Sequence, residues 1–366
     1  MPPRPTVKRR RALQPRRMPV VFDHGQLRHR PRFEWATGKR IEHLERVTRP
    51  GRILSALESS HRFELYAPPG PLRPLELERT HSPALVRYLR AACRQVKDAT
   101  FYPNVFPKRF SVTAPEQGLV RAGFYCFDAG TPITRWAYSS ARLSAACATE
   151  AARMLLEGET TEAYALCRPP GHHAEHDLFG GYCYFNNAAL AANRLRDAGR
   201  VAIVDIDFHH GNGTQQIFYR DAQVLFVSIH GDPQLFYPYF SGFADEAGEG
   251  PGAGTSFNLP MKAGVDDAGY RELIEGRVFP IVRAFKPASL VVSAGFDTYV
   301  GDPIGEFNLS TAFFSELGER FAGLGSPTVI VQEGGYQIAQ LGTNVRAFLE
   351  GFLEGRTSVA RLRRHR

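Results

Sequence analysis

The chain has 366 residues, of which 43% are hydrophobic and 22% charged, a balance typical of a soluble globular protein. This length allows one large α/β domain or two smaller ones. No stretch approaches the roughly 18–20 apolar residues of a membrane span, and the N-terminus lacks the apolar region of a secretory signal. We therefore expect no membrane partner.

The net charge of +8 belongs to the two ends of the chain. Residues 1–17 contribute +7 and residues 356–366 contribute +5, which leaves −4 for the body. Such basic runs are typical of disordered, solvated tails, and the alternative is an anchor for an anionic polymer or for a membrane surface. We predict a disordered basic tail over residues 1–18, one folded domain over 19–352 and a basic tail over 353–366. We expect that no nucleic acid is required.

The five cysteines are odd in number, scattered, and form no C-x-x-C pair. This pattern favours free thiols in a reducing compartment over a disulfide or structural zinc framework, so we expect a cytoplasmic protein. They are Cys93, Cys126, Cys147, Cys167 and Cys183.

The first third of the chain gives the weakest signals. Residues 20–23 fit a first strand, and residues 52–59 begin a helix. Proline and glycine indicate loops over 66–74 and 101–123. A further helix is predicted over 140–157, because the glycine that follows it is a common helix terminator.

From about residue 160, short apolar runs alternate with helical patterns. Continuous apolar runs are typical of parallel strands that are buried on both faces. Helices are predicted over 187–198 and from the N-cap Asp266 to residue 285. The alternation predicts a single α/β domain with a mostly parallel sheet between layers of helices. The five runs are residues 162–168, 201–207, 224–230, 289–295 and 327–333.

Each of these runs ends in a cluster of polar residues. Because the carboxyl ends of the strands in an open parallel sheet meet at one crevice, we expect the five clusters to converge there. They occupy residues 168–173, 205–213, 228–230, 295–297 and 333–336.

Two of the clusters contain candidate metal ligands. Asp205 and Asp207 are two residues apart on a strand and point to the same face, where two carboxylates repel each other unless a cation neutralises them. His209 and Asp297 add an imidazole and a further carboxylate. Such a set with an open position suits a catalytic zinc or a similar metal. The alternative is an ion-pair network that uses Arg168 or His230.

Two other clusters contain candidate groups for proton transfer and oxyanion binding. The adjacent His172 and His173 lie in a Pro-Gly loop and fit acid/base work, although a lone histidine is more often structural. Tyr336 follows a Gly-Gly turn that lets the backbone approach the site, and its hydroxyl could donate to a developing oxyanion.

Six segments, taken together in this order, resemble the histone deacetylase-like superfamily over about residues 120–345. The resemblance implies an arginase-like, three-layer fold with about eight mostly parallel strands, and a zinc-dependent deacetylase that acts on linear amides. The segments are RPPGHHA, GGYCYFNNAA, DIDFHHGNGTQ, SIHGDP, GFDT and EGGY.

The resemblance assigns roles to the polar residues. It makes Asp207, His209 and Asp297 the zinc ligands, with iron(II) as the alternative metal. His173 becomes the general base and then the acid towards a metal-activated water, and His172 adds electrostatic support. The remaining assignments are Asp205 holding His172, Asn212 orienting His173, Tyr336 polarising the acyl carbonyl, and the Gly181 carbonyl accepting the scissile amide N–H.

The same resemblance implies further contacts. A structural potassium ion is expected at backbone oxygens of Asp205, Asp207 and His209 and at Ser228 and Ile229. The walls of the substrate channel would include Tyr182, Phe236 and Ile304. The aromatic cluster of Phe236, Tyr237, Tyr239 and Phe240 fits either a channel wall or the core.

Within the superfamily the chain is most similar to the bacterial acetylpolyamine amidohydrolases. That branch implies a small acetylated amine as substrate, and a loop insertion at about 100–123 that narrows the mouth and supports a homodimer. The alternative substrate is acyl-lysine in proteins or peptides. The chain departs from this branch at Gly130, where we expect a glutamate that contacts the substrate cation. Asp128, Glu116 and Asp302 are the candidate substitutes.

Overall fold

The computed structural model describes residues 17–106 and 118–364. The first sixteen residues of the predicted N-terminal tail, Glu116 and much of the predicted loop insertion lie outside these ranges. The strands are β1 (Met18–Val21), β2 (Phe33–Ala36), β3 (Lys39–Glu42), β4 (Phe63–Tyr66), β5 (Thr100–Phe101), β6 (Ile133–Thr134), β7 (Glu162–Ala165), β8 (Val201–Asp205), β9 (Val224–Gly231), β10 (Ser256–Met261), β11 (Ser289–Ala294) and β12 (Thr328–Gln332).

Eight of these strands form one sheet in which every neighbouring pair is parallel, in the order β10-β9-β8-β11-β12-β7-β1-β4. The helices are α1 (Arg49–Glu58), α2 (Pro74–Leu77), α3 (Pro83–Val96), α4 (Ala122–Tyr125), α5 (Ala137–Leu156), α6 (Asn187–Leu195), α7 (Asn212–Phe218), α8 (Asp267–Leu273), α9 (Phe279–Phe285), α10 (Thr311–Ala322) and α11 (Ile338–Arg364). Outside the main sheet, β2 and β3 form an antiparallel hairpin, and β5 and β6 form a short antiparallel pair.

The predicted three-layer arrangement is confirmed by burial on both faces of the sheet. Along β8, Ala202 and Val204 pack into one hydrophobic cluster, whereas Val201 and Ile203 pack into another. Successive side chains of a strand point to opposite faces, so both faces are covered. This explains why the strands have continuous apolar runs rather than alternating ones.

The predicted apolar runs and helices occur where expected, with small differences in their bounds. The predicted strand over 162–168 ends at Ala165, because the following residues leave the sheet for the site. Asp266 caps α8 by accepting a hydrogen bond from the Gly269 N–H at 3.0 Å. A π-helical turn over Ile274–Val278 joins α8 to α9.

Helix α11 crosses the predicted boundary between residues 352 and 353 and continues to Arg364. Phe348, Phe352 and Leu353 are buried on it, and this apolar face holds it against α10. At Gly318 of α10 a Cβ atom would lie 2.0 Å from the Phe348 carbonyl oxygen, so only glycine permits this approach. The predicted C-terminal tail is therefore, as far as Arg364, the end of this packed helix.

All five cysteines are buried and form no disulfide, as predicted from their spacing.

Among residues 17–106 and 118–364, no helix is both long and apolar enough to cross a membrane.

Candidate active site

Three predicted metal ligands form a compact buried cluster at the carboxyl ends of β8 and β11. One ligand atom from each of Asp207, His209 and Asp297 can be chosen so that all lie within 4.8 Å of one another. The Nδ1 atom of His209 lies 3.3 Å from Asp207 Oδ1 and 3.2 Å from Asp297 Oδ2. Two carboxylates thus converge on one imidazole nitrogen.

Backbone donors fix the two carboxylates in this orientation. The N–H of Phe208 donates to Asp297 Oδ1 at 2.8 Å, and the N–H of Gly334 donates to Asp207 Oδ2 at 2.8 Å. Each hydrogen bond joins a different pair of strand ends, so the cluster exists only when β8, β11 and β12 are assembled.

The donor set and its electrostatics fit a divalent metal. Burial alone would lower the pKa of His209, but Asp207 and Asp297 raise it to about 9. A proton on this nitrogen is therefore stabilised by the same two carboxylates that would stabilise a bound cation. Two carboxylates and one imidazole are also a ligand set used by catalytic zinc.

Glycine provides the space for the cluster, which gives a first prediction. At Gly334 a Cβ atom would lie 2.3 Å from Asp297 Oδ2 and 2.5 Å from Asp207 Oδ2. Gly334→Ala should therefore displace both ligands and lower zinc affinity by about tenfold or more, measured by competition with a chelator. Gly276→Ala is the matched control, because a Cβ there meets nothing within 4 Å. Equal zinc affinities for Gly334→Ala and the wild-type protein would contradict the close packing of Gly334 against the two ligands.

The two predicted histidines lie side by side, and each has its own polar partner. Asp205 Oδ2 lies 3.0 Å from His172 Nδ1, and Asn212 Oδ1 lies 2.8 Å from His173 Nδ1. The two imidazole rings are 4.1 Å apart between centroids. The partners therefore differ in charge, a carboxylate for one histidine and a neutral amide for the other.

Because their partners differ in charge, the two histidines have pKa values that shift in opposite directions. Burial lowers the pKa of His172, but the carboxylates of Asp207 and Asp205 raise it to about 10. Burial lowers the pKa of His173 well below 6.5, and the positive charges of His172 and His209 lower it further. These opposite shifts favour the charged form of His172 and the neutral form of His173, which makes His173 the better base of the two.

Asn212 also fixes which ring nitrogen of His173 faces the site. Its Nδ2 atom donates to Glu175 Oε1 at 2.9 Å, so its Oδ1 atom faces His173 Nδ1. An oxygen acceptor there places the proton of neutral His173 on Nδ1. The Nε2 lone pair is left for the reaction.

Asn212→Asp is predicted to change the pH dependence of kcat/KM. In Asn212→Asp, a carboxylate beside His173 stabilises the imidazolium and raises its pKa. Because the neutral form is the base, the acid limb of the kcat/KM profile should move to higher pH by about one unit or more. Asn308→Asp, at an exposed position, should leave the profile in place. If the acid limb of the kcat/KM profile of Asn212→Asp stays at its wild-type pH, that limb does not report the protonation of His173.

The turn that carries Tyr336 is held from two sides. Asp302 Oδ2 accepts from the Tyr336 N–H at 2.7 Å, and Arg49 donates to the carbonyls of Glu333 and Gly335 at 2.7 and 2.8 Å. Asp302 also accepts from the backbone of Ile304 and Gln337. Its carboxylate is committed to this turn, which argues against the hypothesis that it contacts the substrate cation.

Glu333 is a site residue whose role the sequence patterns did not reveal. Its Oε2 accepts from the N–H groups of Gly171 and His172 at 2.7 and 3.2 Å, and its Oε1 accepts from Ser293 Oγ at 2.9 Å. It therefore connects the loop that carries His172 and His173 (residues 168–173, the histidine loop) to the ends of β11 and β12. Its place after a buried strand was the only available signal.

The alternative ion-pair network is not what the structure shows. Arg168 is fully buried, but its Nε lies 2.9 Å from Glu45 Oε1, and its other nitrogens donate to the backbone of Gln26, His29 and Glu45. It therefore ties the histidine loop to the N-terminal segment and does not pair with the ligand carboxylates.

A cavity of about 420 Å³ leads from the ligand cluster to the surface. All five predicted substrate-contacting residues line it, together with His173, His209 and Tyr336. Of the aromatic cluster, Phe236, Tyr237 and Tyr239 line the cavity and Phe240 does not. The five are Gly181, Tyr182, Phe236, Ile304 and Asp128.

The inner wall of the cavity depends on a left-handed backbone. Gly181 has φ +56°, and a Cβ there would lie 2.2 Å from His173 Cδ2. Asp128 Oδ2 accepts from the Gly181 N–H at 2.6 Å and from the Tyr237 hydroxyl at 2.8 Å, and its Oδ1 accepts from the Thr131 N–H at 2.9 Å. Asp128 thus holds the wall close to His173.

The residues predicted to bind potassium lie on neighbouring strands. Asp205 is in register with Ser228 across β8 and β9, so the backbone after each residue faces the same region. Ser228 Oγ lies 2.8 Å from His230 Nδ1 and 3.3 Å from His210 Nδ1. Potassium binding itself stays a prediction.

Comparison with known proteins supports the predicted family. The model of the histone deacetylase domain matches residues 41–352. The chain is 40% identical to acetylpolyamine amidohydrolase 2 of Pseudomonas aeruginosa, over 92% of this chain and 98% of that protein. It is 37% identical to acetylpolyamine amidohydrolase of Mycoplana ramosa, over 91% and 99%. The crystal structure of acetylpolyamine aminohydrolase from Burkholderia pseudomallei superposes with a TM-score of 0.87, at 38% identity over 92% and 98%.

Proposed function

The chain belongs to the histone deacetylase family, and from this premise we propose that it hydrolyses the amide bond of small acetylated linear amines, acetylpolyamines among them. The observation that carries the proposal is a geometric one: His172 and His173, held by Asp205 and Asn212, lie beside the buried ligand cluster, and His173 and Tyr336 line the same cavity. This arrangement supplies a base, a positive charge and a metal site at the bottom of one narrow cavity.

The residues around the cluster divide the chemistry between them. When bound, a zinc ion supplies Lewis-acid polarisation of the acyl carbonyl and lowers the pKa of water to about 7. His173 Nε2 takes the proton of the attacking water and later gives it to the leaving amine. The products are a carboxylate and a free amine, so atoms and protons balance within one turnover.

Two neighbouring groups support the transition state in this proposal. The positive charge of His172 favours the negative charge that develops nearby. The Tyr336 hydroxyl stays protonated, because burial raises its pKa well above 10 in spite of the nearby Arg49, and it can donate to the developing oxyanion. The Gly181 carbonyl is proposed to accept the scissile amide N–H.

We propose zinc at Asp207, His209 and Asp297, with iron(II) as the alternative, because this nitrogen and oxygen set suits both metals. A structural potassium ion at the ends of β8 and β9 and a homodimer are further proposals that rest on the family resemblance. Metal analysis of the purified protein and its mass in solution test these three points.

The cavity favours a slim cationic substrate over a folded protein. Its lining combines six aromatic side chains with the carboxylates of Glu34 and Asp128, and no lysine or arginine is among the lining residues that the structure describes. Aromatic faces and carboxylates both attract ammonium groups. The relatives named acetylpolyamine amidohydrolase match nearly the whole chain, which supports the same substrate class.

Steady-state rates with acetylputrescine, acetylcadaverine, acetylspermidine and an acetyl-lysine peptide, on enzyme of measured metal content, test the proposal. We expect higher kcat/KM for the three small amines than for the peptide, and loss of activity with a chelator that zinc restores. A preference for the peptide would assign the enzyme to acyl-lysine instead. No turnover of any substrate by metal-loaded enzyme would reject the deacetylase proposal.

A further inference from the structure

A carboxylate outside the substrate cavity is connected to the base through one amide. Asn212, whose Oδ1 atom lies 2.8 Å from His173 Nδ1, donates from Nδ2 to Glu175 Oε1 at 2.9 Å. Glu175 and Asn212 both line a second cavity of about 680 Å³, and neither lines the cavity that contains His173 and Tyr336. A change at Glu175 can therefore reach the base without changing the wall that the substrate contacts.

The main chain of Glu175 is fixed at both of its polar groups. Its N–H donates to the Leu178 carbonyl at 2.9 Å, and its carbonyl accepts from His81 Nδ1 at 2.8 Å. Burial lowers the pKa of His81 to about 4, and its Nε2 atom accepts from the Asn186 N–H at 2.9 Å, so the remaining ring proton is on Nδ1. The side chain of Glu175 therefore extends from a rigid position.

A glycine lets the helix that carries Asn212 approach the same segment. At Gly213 of α7 a Cβ atom would lie 2.3 Å from the Ala174 carbonyl oxygen, so any other residue there would displace the helix from residue 174. Asn212 is the first residue of α7 and is buried. Two rigid segments thus meet where the amide of Asn212 contacts the carboxylate of Glu175.

The amide of Asn212 has two ends, and only its oxygen suits the base. The oxygen accepts the Nδ1 proton of His173, whereas an NH2 group in the same place would favour the tautomer with its proton on Nε2. The Nδ2 atom has two acceptors, the Glu175 carboxylate at 2.9 Å and the His173 carbonyl at 3.4 Å. Glu175 is the closer acceptor and a charged one, so it contributes most to the orientation of the amide.

The two histidines therefore differ in how a carboxylate is placed beside them. Asp205 contacts His172 directly, whereas the amide of Asn212 separates Glu175 from His173. A carboxylate in direct contact favours the charged imidazolium, which is no longer a base. A carboxylate behind an amide orients the ring without forming an ion pair with it.

We propose that Glu175 is a positioning residue for the reaction: it holds the amide of Asn212 with its oxygen towards His173 and so keeps the Nε2 atom of the base free. This inference rests on the proposed function. It adds to the arrangement around the base a third residue that lies outside the substrate cavity.

Glu175→Ala is expected to lower kcat for acetylcadaverine by about tenfold and to leave KM within about twofold, because the base loses its orientation while the substrate cavity is unchanged. Glu175→Gln should stay within about threefold of the wild-type kcat, since its amide oxygen still accepts from Asn212 Nδ2. Glu249→Ala is the matched control. It removes an exposed carboxylate, paired with Arg220, from the wall of the same second cavity, and it should leave kcat unchanged.

A double substitution separates positioning from a general structural role. In the Asn212→Ala background, Glu175→Ala should lower kcat by no more than about twofold further, because the residue through which it acts is already absent. Losses that multiply would show that Glu175 acts by another route and would overturn the inference. A wild-type kcat in Glu175→Ala, or a Glu175→Gln enzyme as slow as Glu175→Ala, would overturn it as well.

The ring tautomer of His173 gives a readout that needs no substrate. NMR of the zinc-loaded protein with isotope-labelled histidine, with His173→Ala to identify the signals, should show the proton on Nδ1 in the wild type and a larger share on Nε2 in Glu175→Ala. An unchanged tautomer would contradict the inference, whereas a wild-type enzyme that does not hydrolyse acetylcadaverine would reject the proposed function. Metal content and the unfolding midpoint of each variant distinguish a local change from a loss of fold.

Discussion

Replacing His173 by alanine is expected to lower kcat by about 10²–10⁴-fold, the usual contribution of a general acid–base group. Asn212 holds His173 through Nδ1, so Nε2 is left for the reaction, and burial lowers the pKa of His173 and so favours the neutral base. His172 is a poor replacement for this base, because the neighbouring carboxylates of Asp207 and Asp205 raise its pKa and so favour its protonated form.

His176→Ala is the matched control, because it removes an exposed imidazole three residues along the same loop. It should change kcat by less than about twofold. Metal content and the unfolding midpoint should be the same in both variants, since neither histidine is in the ligand cluster. A His173→Ala enzyme that retained near-normal turnover would require another base and would overturn the assignment.

The candidate site could be predicted largely because its residues follow buried parallel strands. Asp207, His209 and Asp297 are far apart in sequence, but each comes directly after an apolar run, and parallel strands bring their carboxyl ends together. The same rule brought His172 and Tyr336 into the prediction. The topology, and not the local sequence alone, makes these positions converge.

Residues that act through long-range contacts gave no such signal. Arg49 lies in α1 but donates to carbonyl groups at Glu333 and Gly335, across 284 and 286 residues of sequence. Glu34 lies in a short hairpin outside the main sheet. No periodic pattern relates either residue to the site, so only the assembled fold shows what they contact.

The elements that the sequence analysis missed have physical reasons. Strands β4 and β10 are the two edges of the sheet; β4 is largely exposed and β10 is half-buried at three positions, so neither forms a fully buried apolar run. Helix α3 did carry a signal: Ser82 caps it, proline follows, and Leu85, Leu89 and Val96 fall on one face. The edge strands therefore have weak sequence patterns, whereas the N-cap and the apolar face of α3 could have been predicted from the sequence.

Tyr336→Phe is expected to lower kcat and kcat/KM together by about 10²–10³-fold while zinc remains bound. The hydroxyl is proposed to donate only to the oxyanion of the transition state, so its loss weakens the transition state more than the bound substrate. The ring itself should stay in place, because Asp302 and Arg49 hold its turn through backbone groups that the substitution leaves intact. Tyr239→Phe removes a hydroxyl from a more exposed position on the same cavity wall, and it should have little effect on kcat. A Tyr336→Phe enzyme with unchanged turnover would show that the oxyanion is stabilised without this hydroxyl.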